Sequence, residues 1–188
     1  MEIHRHDPFD TFTKDAMIVA GIERLGQFGK TMIVGSNLYD TGKEDRRKRY
    51  PDALGVDMIE GDGVDLVANL EDRKIVHQIG PFNHIECISV LEHSRKPWIM
   101  AQNLKAMMLP GATILISVPF AWRRHAYPSD YWRFTIEGVK ELFTGIMWAG
   151  AAYCHNGMLD YKGKIPSIDG ENGKFIARTE AFLFGVRG

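Results

Sequence analysis

The sequence predicts an α/β fold, a doubly wound sandwich on a mostly parallel sheet with an antiparallel edge strand, and three observations carry that reading. A short β-branched run, Thr31-Met32-Ile33-Val34, stops at Gly35 and opens a polar loop containing Ser36, Asn37, Tyr39, Asp40, Thr41 and Gly42. Such a run is a buried strand whose exit needs unusual backbone angles or a close approach to something bound. The next short run ends in an acid, Asp57, about 20 residues on, where nucleotide-type folds place a carboxylate for the ribose hydroxyls. Finally, strand-like and helix-like runs alternate through most of the chain, while the last two strand-like runs follow each other without a helix. The sandwich is Rossmann-like with seven strands, and the pairing of the Gly35 loop with Asp57 points to an adenosine-containing ligand at the carboxyl edge of the sheet.

The 188 residues fit one domain, with an N-terminal segment and helix over 1–30 and the core over 31–188, large enough to bury a core without disulfide or metal staples. A net charge of -1 gives no drive toward nucleic acid or anionic membrane, so neither is an expected partner. The cluster Arg46-Arg47-Lys48-Arg49 reads as a solvated face. Cys87 and Cys154 are far apart and match no zinc spacing, which suits a reducing, cytoplasmic setting. No apolar run approaches the roughly 20 residues that cross a bilayer, and the start does not resemble a signal peptide. The seven His residues show no two-His spacing on a helix face, so the sequence assigns no metal.

Residues Met1 to Asp10 are polar, with Phe9 and Phe12 as candidate anchors. From Thr13, the residues Met17, Ile18, Gly21, Ile22, Leu25 and Phe28 recur at helical spacing, and Gly29 ends that helix. The first strand is Met32 to Gly35, and charged residues run from Glu44 to Arg49 until Tyr50-Pro51-Asp52 breaks any helix. Ala53 to Asp57 is the second strand, Val64 to Ala68 a short third, and Phe82 to Leu91 the fourth, with its exit at Glu92-His93. Ser94 is a candidate cap for the next helix, which places Pro97 in its first turn and Trp98, Ala101, Leu104 and Met108 inward. Leu109-Pro110-Gly111 reads as a tight turn before the fifth strand, Thr113 to Pro119, whose saturation with β-branched residues predicts burial on both faces. A polar and aromatic loop follows Phe120, then a helix capped by Thr135 with Val139, Leu142 and Phe143 inward. Ile146 to Cys154 and Phe175 to Val186 form the closing pair of strands around a Gly/Lys/Asp-rich loop, 156–174.

With these elements placed, the chain resembles the class I S-adenosylmethionine-dependent methyltransferases over about Thr31 to Phe143. The resemblance rests on Gly55-Val56-Asp57 with Gly61 to Asn69, on Ser89-Val90-Leu91-Glu92-His93 with Leu109-Pro110-Gly111-Ala112, and above all on Pro119-Phe120 with His125 to Thr135. It implies S-adenosylmethionine as cofactor, with Gly35, Ser36 and Asn37 against its methionine part and Asp57, with Met58 beside it, at the ribose. Asn69 and Leu70 would face the adenine, and Leu91 and Glu92 would border the sulfonium. The chain departs from the family pattern at Ile33, where an acid is usual two positions before the first glycine, and at Asn37, where a second glycine is usual.

Methyl transfer is an in-line displacement, so a protein contributes mainly by alignment in a dry site, with a base of near-neutral pKa for an oxygen or nitrogen acceptor. His93 and His125 are the candidate bases, against a structural role in fixing loops. Tyr127, Asp130, Tyr131, Trp132 and Arg133 are the candidate substrate side, against the alternatives of lid packing and an Asp130–Arg133 pin. The expected function is methylation of a small-molecule or saccharide-like acceptor. A catalytically degenerate binding module of the same fold is the rival, and a nicotinamide-dependent oxidoreductase is disfavoured because the first loop lacks G-x-G-x-x-G spacing.

Overall fold

The computed structural model describes residues 29–39, 44–125, 128–155 and 179–188. The helix expected after Thr13, the loop 156–174, Tyr127 and the start of the last strand lie outside them. Seven strands form one sheet: β1 (Thr31–Val34), β2 (Ala53–Asp57), β3 (Leu66–Val67), β4 (Phe82–Ile88), β5 (Met108–Ala121), β6 (Ile146–His155) and β7 (Thr179–Arg187), in the order β3-β2-β1-β4-β5-β7-β6. Strands β1 to β5 pair in parallel, and β7 runs antiparallel between β5 and β6. The antiparallel element is therefore second from that side of the sheet, with β6 outside it.

Helices α1 (Pro97–Ala106) and α2 (Ile136–Leu142) cover one face. Alternation along the strands sends Met32, Val34, Ile85, Cys87, Ile114, Ile116 and Val118 into the core under them. The opposite face carries Ile33, Ile88, Leu115 and Phe182 but also the buried polar residues His84, Glu86, Ser117 and Glu180. These are paired, as burial requires: Ser117 donates to Glu180, and Tyr50 donates to Glu86 over 2.7 Å. Strand β5 is buried on both faces through residues 114–118, as its composition predicts.

Several expectations change in detail. Strand β4 stops at Ile88, because Ser89 turns at φ 54° and Leu91–His93 form a 3-10 turn. Leu109-Pro110-Gly111 lies inside β5 rather than before it: Met108 already pairs with Phe82, and the register then jumps to Thr113 opposite His84, a bulge eased by Gly111 at φ 75°. Ser94 does not cap α1. Its hydroxyl donates to Glu71, whose Oε1 also accepts from the backbone N–H of Arg95 at 2.8 Å, so a distant carboxylate serves the start of the helix. The buried stripe of α1 is Pro97, Met100, Ala101 and Leu104, which turns Trp98 outward, where it meets Trp132 edge to face. Nor is the basic cluster a solvated face. Arg46 pairs with Glu86, Arg47 with Asp45 and Asp65, and Arg49 with Glu44, leaving Lys48 exposed.

Candidate functional site

In an open parallel sheet, ligands lie outside the carboxyl ends of the strands, at the point where the strand order reverses. Here the order reverses between β1 and β4. The exits of β1, β2, β4 and β5 place Gly35, Asp57, Glu92-His93 and His125 on one rim. Gly35 has φ 66°, and any side chain there would collide with Val90. The close approach expected at this glycine is thus made by a side chain of the β4 exit.

Asp57 ends β2 half-buried. Its carboxylate accepts from the backbone N–H of Asn37 at 3.2 Å and of Ile59 at 3.1 Å, and from the Tyr39 hydroxyl at 3.4 Å. Asn37 holds the β1 loop against the β2 exit by donating its amide to the Ile59 carbonyl at 3.4 Å. Ser36 is buried with its hydroxyl under the loop against Gly55. Met58 stands exposed beside Asp57, with Ile59 next to it. Asn69 accepts from the N–H of Glu71 at 2.9 Å, an Asx turn at an exposed position. Leu70 and Leu91 point into the core, so they support the rim from beneath rather than face it.

The other half of the rim is polar. Glu92 is only 1% exposed, and its backbone carbonyl accepts from the N–H of Tyr131 at 2.8 Å, tying the loop after β5 to the exit of β4. His93 and His125 meet edge to face with ring centroids 4.9 Å apart. The Nδ1 atom of His93 lies 2.6 Å from the Ser129 carbonyl. Burial holds the His93 imidazole below its ordinary pKa, against the opposing pull of that carbonyl. Asp130 accepts from the backbone N–H of His125 at 2.8 Å and from both terminal nitrogens of Arg133. Its carboxyl is lowered to about 2, first by the Arg133 hydrogen bonds. Arg133 also donates to the carbonyls of Trp122, Arg123 and Trp132, so it pins the loop instead of presenting its fork to the rim. Trp132 is fixed by its indole N–H to the Ser94 carbonyl at 2.8 Å, and the Tyr131 hydroxyl accepts from Arg95 at 3.0 Å.

The sequence singled out most of this rim but missed Arg46 and Glu86 beneath it. Arg46 donates to the carbonyls of Val34 at 3.2 Å and Gly35 at 2.7 Å while pairing with Glu86 at 2.8 Å. The signal was present as a charged residue, Glu86, inside an otherwise apolar strand, which requires a buried partner.

No family model matches the sequence, and no curated protein sequence matches it. Solved structures do. The 1,6-didemethyltoxoflavin-N1-methyltransferase of Burkholderia thailandensis, determined with 1,6-didemethyltoxoflavin and S-adenosylhomocysteine, aligns with a TM-score of 0.61 at 12% identity, over 97% of this chain and 79% of that one. The N-methyltransferase NodS of Bradyrhizobium japonicum, with S-adenosylhomocysteine, aligns at 0.57 and 10% identity over 92% and 84%. A putative methyltransferase in complex with the Haloferax volcanii Trm112 methyltransferase activator aligns at 0.57 and 15% identity over 90% and 87%. At these identities the likeness is one of fold, and the fold is that of the class I methyltransferases.

Proposed function

We propose that this protein is an S-adenosylmethionine-dependent methyltransferase that methylates an oxygen or nitrogen of a small-molecule or saccharide-like acceptor. The observation that carries the reading is the gathering of a left-handed glycine turn, a strand-end carboxylate and two imidazoles on one rim at the reversal of strand order. The donor set fits an adenosyl group. Asp57 is held by three donors at 3.1–3.4 Å, longer than the roughly 2.7–2.9 Å of strong charged hydrogen bonds, so its lone pairs retain capacity for a ribose diol. Exposed Met58 and Ile59 flank it with apolar surface for a purine. Structural neighbours determined with S-adenosylhomocysteine support the same cofactor.

The cofactor supplies an electrophilic methyl group on a sulfonium. The chain's contribution begins with Asp57 and the 35–37 loop, which would hold the ribose and the methionine end beside the β4 and β5 exits. Asn69 and Met58 border the adenine, with Leu70 and Leu91 packing below. Glu92, buried at the β4 exit, would border the sulfonium. His93 and His125 are the groups that accept the acceptor's proton: Nδ1 of each faces oxygen acceptors, leaving Nε2 as the basic atom in the neutral ring. His93, held below its ordinary pKa, is neutral and able to act as a base at pH 7. Tyr131 and Trp132 wall the acceptor side, and Asp130 and Arg133 hold that wall.

Calorimetric titration with S-adenosylhomocysteine tests the reading. Saturable binding is expected, weakened at least tenfold by Asp57→Ala. A flat titration of the unmutated chain, under conditions where it is folded, would remove the cofactor and with it the proposed activity.

A further inference from the structure

The three side chains at the β4 and β5 exits have a geometry that a proton shuttle does not require. One ligand-type atom from each of Glu92, His93 and His125 lies within 4.8 Å of the other two. His93 sets Nδ1 at 2.6 Å from the Ser129 carbonyl, an acceptor with no proton of its own, so Nδ1 carries the hydrogen. His125 sets Nδ1 at 3.2 Å from Asp130 Oδ2 and 3.4 Å from the Arg123 carbonyl, which fixes the same tautomer. Both rings bring Nε2 near the same oxygen, Glu92 Oε1, at 3.7 Å for His93 and 3.9 Å for His125.

From this arrangement we propose that Glu92, His93 and His125 form a binding site for one divalent transition-metal ion of the zinc class. Two imidazoles and a carboxylate are a donor set of catalytic zinc, with a further position open. Bonds of about 2.0–2.2 Å in a tetrahedral set bring ligand atoms to about 3.4 Å from one another, so modest rotation of the two rings closes the site. The outer partners are also those of a metal centre. Ligating imidazoles usually donate their other N–H to a carbonyl or a carboxylate; here the Ser129 carbonyl takes that of His93 and the Arg123 carbonyl that of His125, with Asp130, itself fixed by Arg133, 3.2 Å from the same His125 nitrogen. The sequence hid the site because its ligands come from two strand exits rather than from one helix face.

Metal binding stands on the geometry alone. Only its use rests on the methyltransferase reading: with the ion held by both Nε2 atoms, the metal would take over from the imidazoles the task of easing loss of the proton from an acceptor hydroxyl at the open position. The acceptor class this favours is one with an ionisable hydroxyl.

The test is titration of the metal-free full chain with cobalt(II), followed by its visible ligand-field absorption, and with zinc(II) by calorimetry. One equivalent is expected to bind saturably. His93→Ala and His125→Ala should each weaken it at least a hundredfold, and Asp130→Asn, which touches His125 and not the ion, by roughly ten- to a hundredfold. X-ray absorption of the zinc-loaded unmutated chain, which needs no variant to fold, should show two imidazoles with oxygen completing the shell. Absence of saturable binding, sulfur in the shell, or undiminished binding in a folded His93→Ala/His125→Ala double variant would each overturn the site. S-adenosylhomocysteine titrated into the same metal-free chain reports on the methyltransferase reading separately, so either can fail without the other.

Discussion

Glu86 is fully buried and directly opposite Ile33 in the β1–β4 register, on the same face of the sheet. The family resemblance leads one to expect an acid at position 33; the structure sets the charge one strand away instead. There it neutralises Arg46, whose guanidinium reaches the carbonyls of Val34 and Gly35, so the pair braces the turn beneath the rim. Removing one partner of a buried ion pair strands the other. Glu86→Gln should therefore lower stability by roughly 3 kcal/mol, read as a shift of the urea midpoint. A change within a few tenths of a kcal/mol would show that the pair braces nothing. Residue by residue, the sequence exposed what is locally marked, namely Gly35, Asp57 and the His125 to Arg133 string. It hid what depends on pairing across the sheet, and so Arg46 looked like one cation among four.

At the scale of elements the same division holds. Thr135 was legible as a cap because its partner is three residues away: its Oγ1 accepts from the Gly138 N–H at 3.0 Å. Thr135→Ala should cost about 1 kcal/mol in urea unfolding, and Thr135→Ser should recover most of it. The start of α1 was not legible, since Glu71, which serves it, arrives from before β4. Strand β4 makes a further prediction through His84, fully buried with its Nδ1 2.7 Å from the Thr113 hydroxyl. Burial lowers this imidazole to about 3. The unfolded chain takes up the proton near pH 6.5, while the folded one resists it until about pH 3. Stability is thus complete above the unfolded value and is lost as pH falls through that window, with a slope approaching about 1.4 kcal/mol per pH unit. His84→Asn, which keeps an amide near Thr113, should flatten the dependence between pH 6 and 4. Equal slopes in the two proteins would rule His84 out as its source.

For the whole molecule, the alternating pattern predicted a mostly parallel sheet, and the sheet is that, although among the described residues only 3-10 turns and loops connect the strands from β1 to β4. What alternation does not carry is which exits converge. The reversal between β1 and β4 puts Asp57 and His125, 68 positions apart in the chain, on one rim, and only the strand order reveals that. A ligand bridging such a rim binds the native state and has no counterpart site in the unfolded chain, so it must raise the unfolding temperature. S-adenosylhomocysteine at about 100 times its Kd should add about 2.7 kcal/mol, which in a domain of this size corresponds to a rise of roughly 5–10 °C. Asp57→Ala at the same ligand concentration should lose most of that rise, while Thr135→Ala, which sits in a helix cap, should keep it on a lower baseline. If both variants retain the full rise, the ligand is held somewhere other than the β2 exit. If the unmutated chain shows none, the fold is present without the cofactor site.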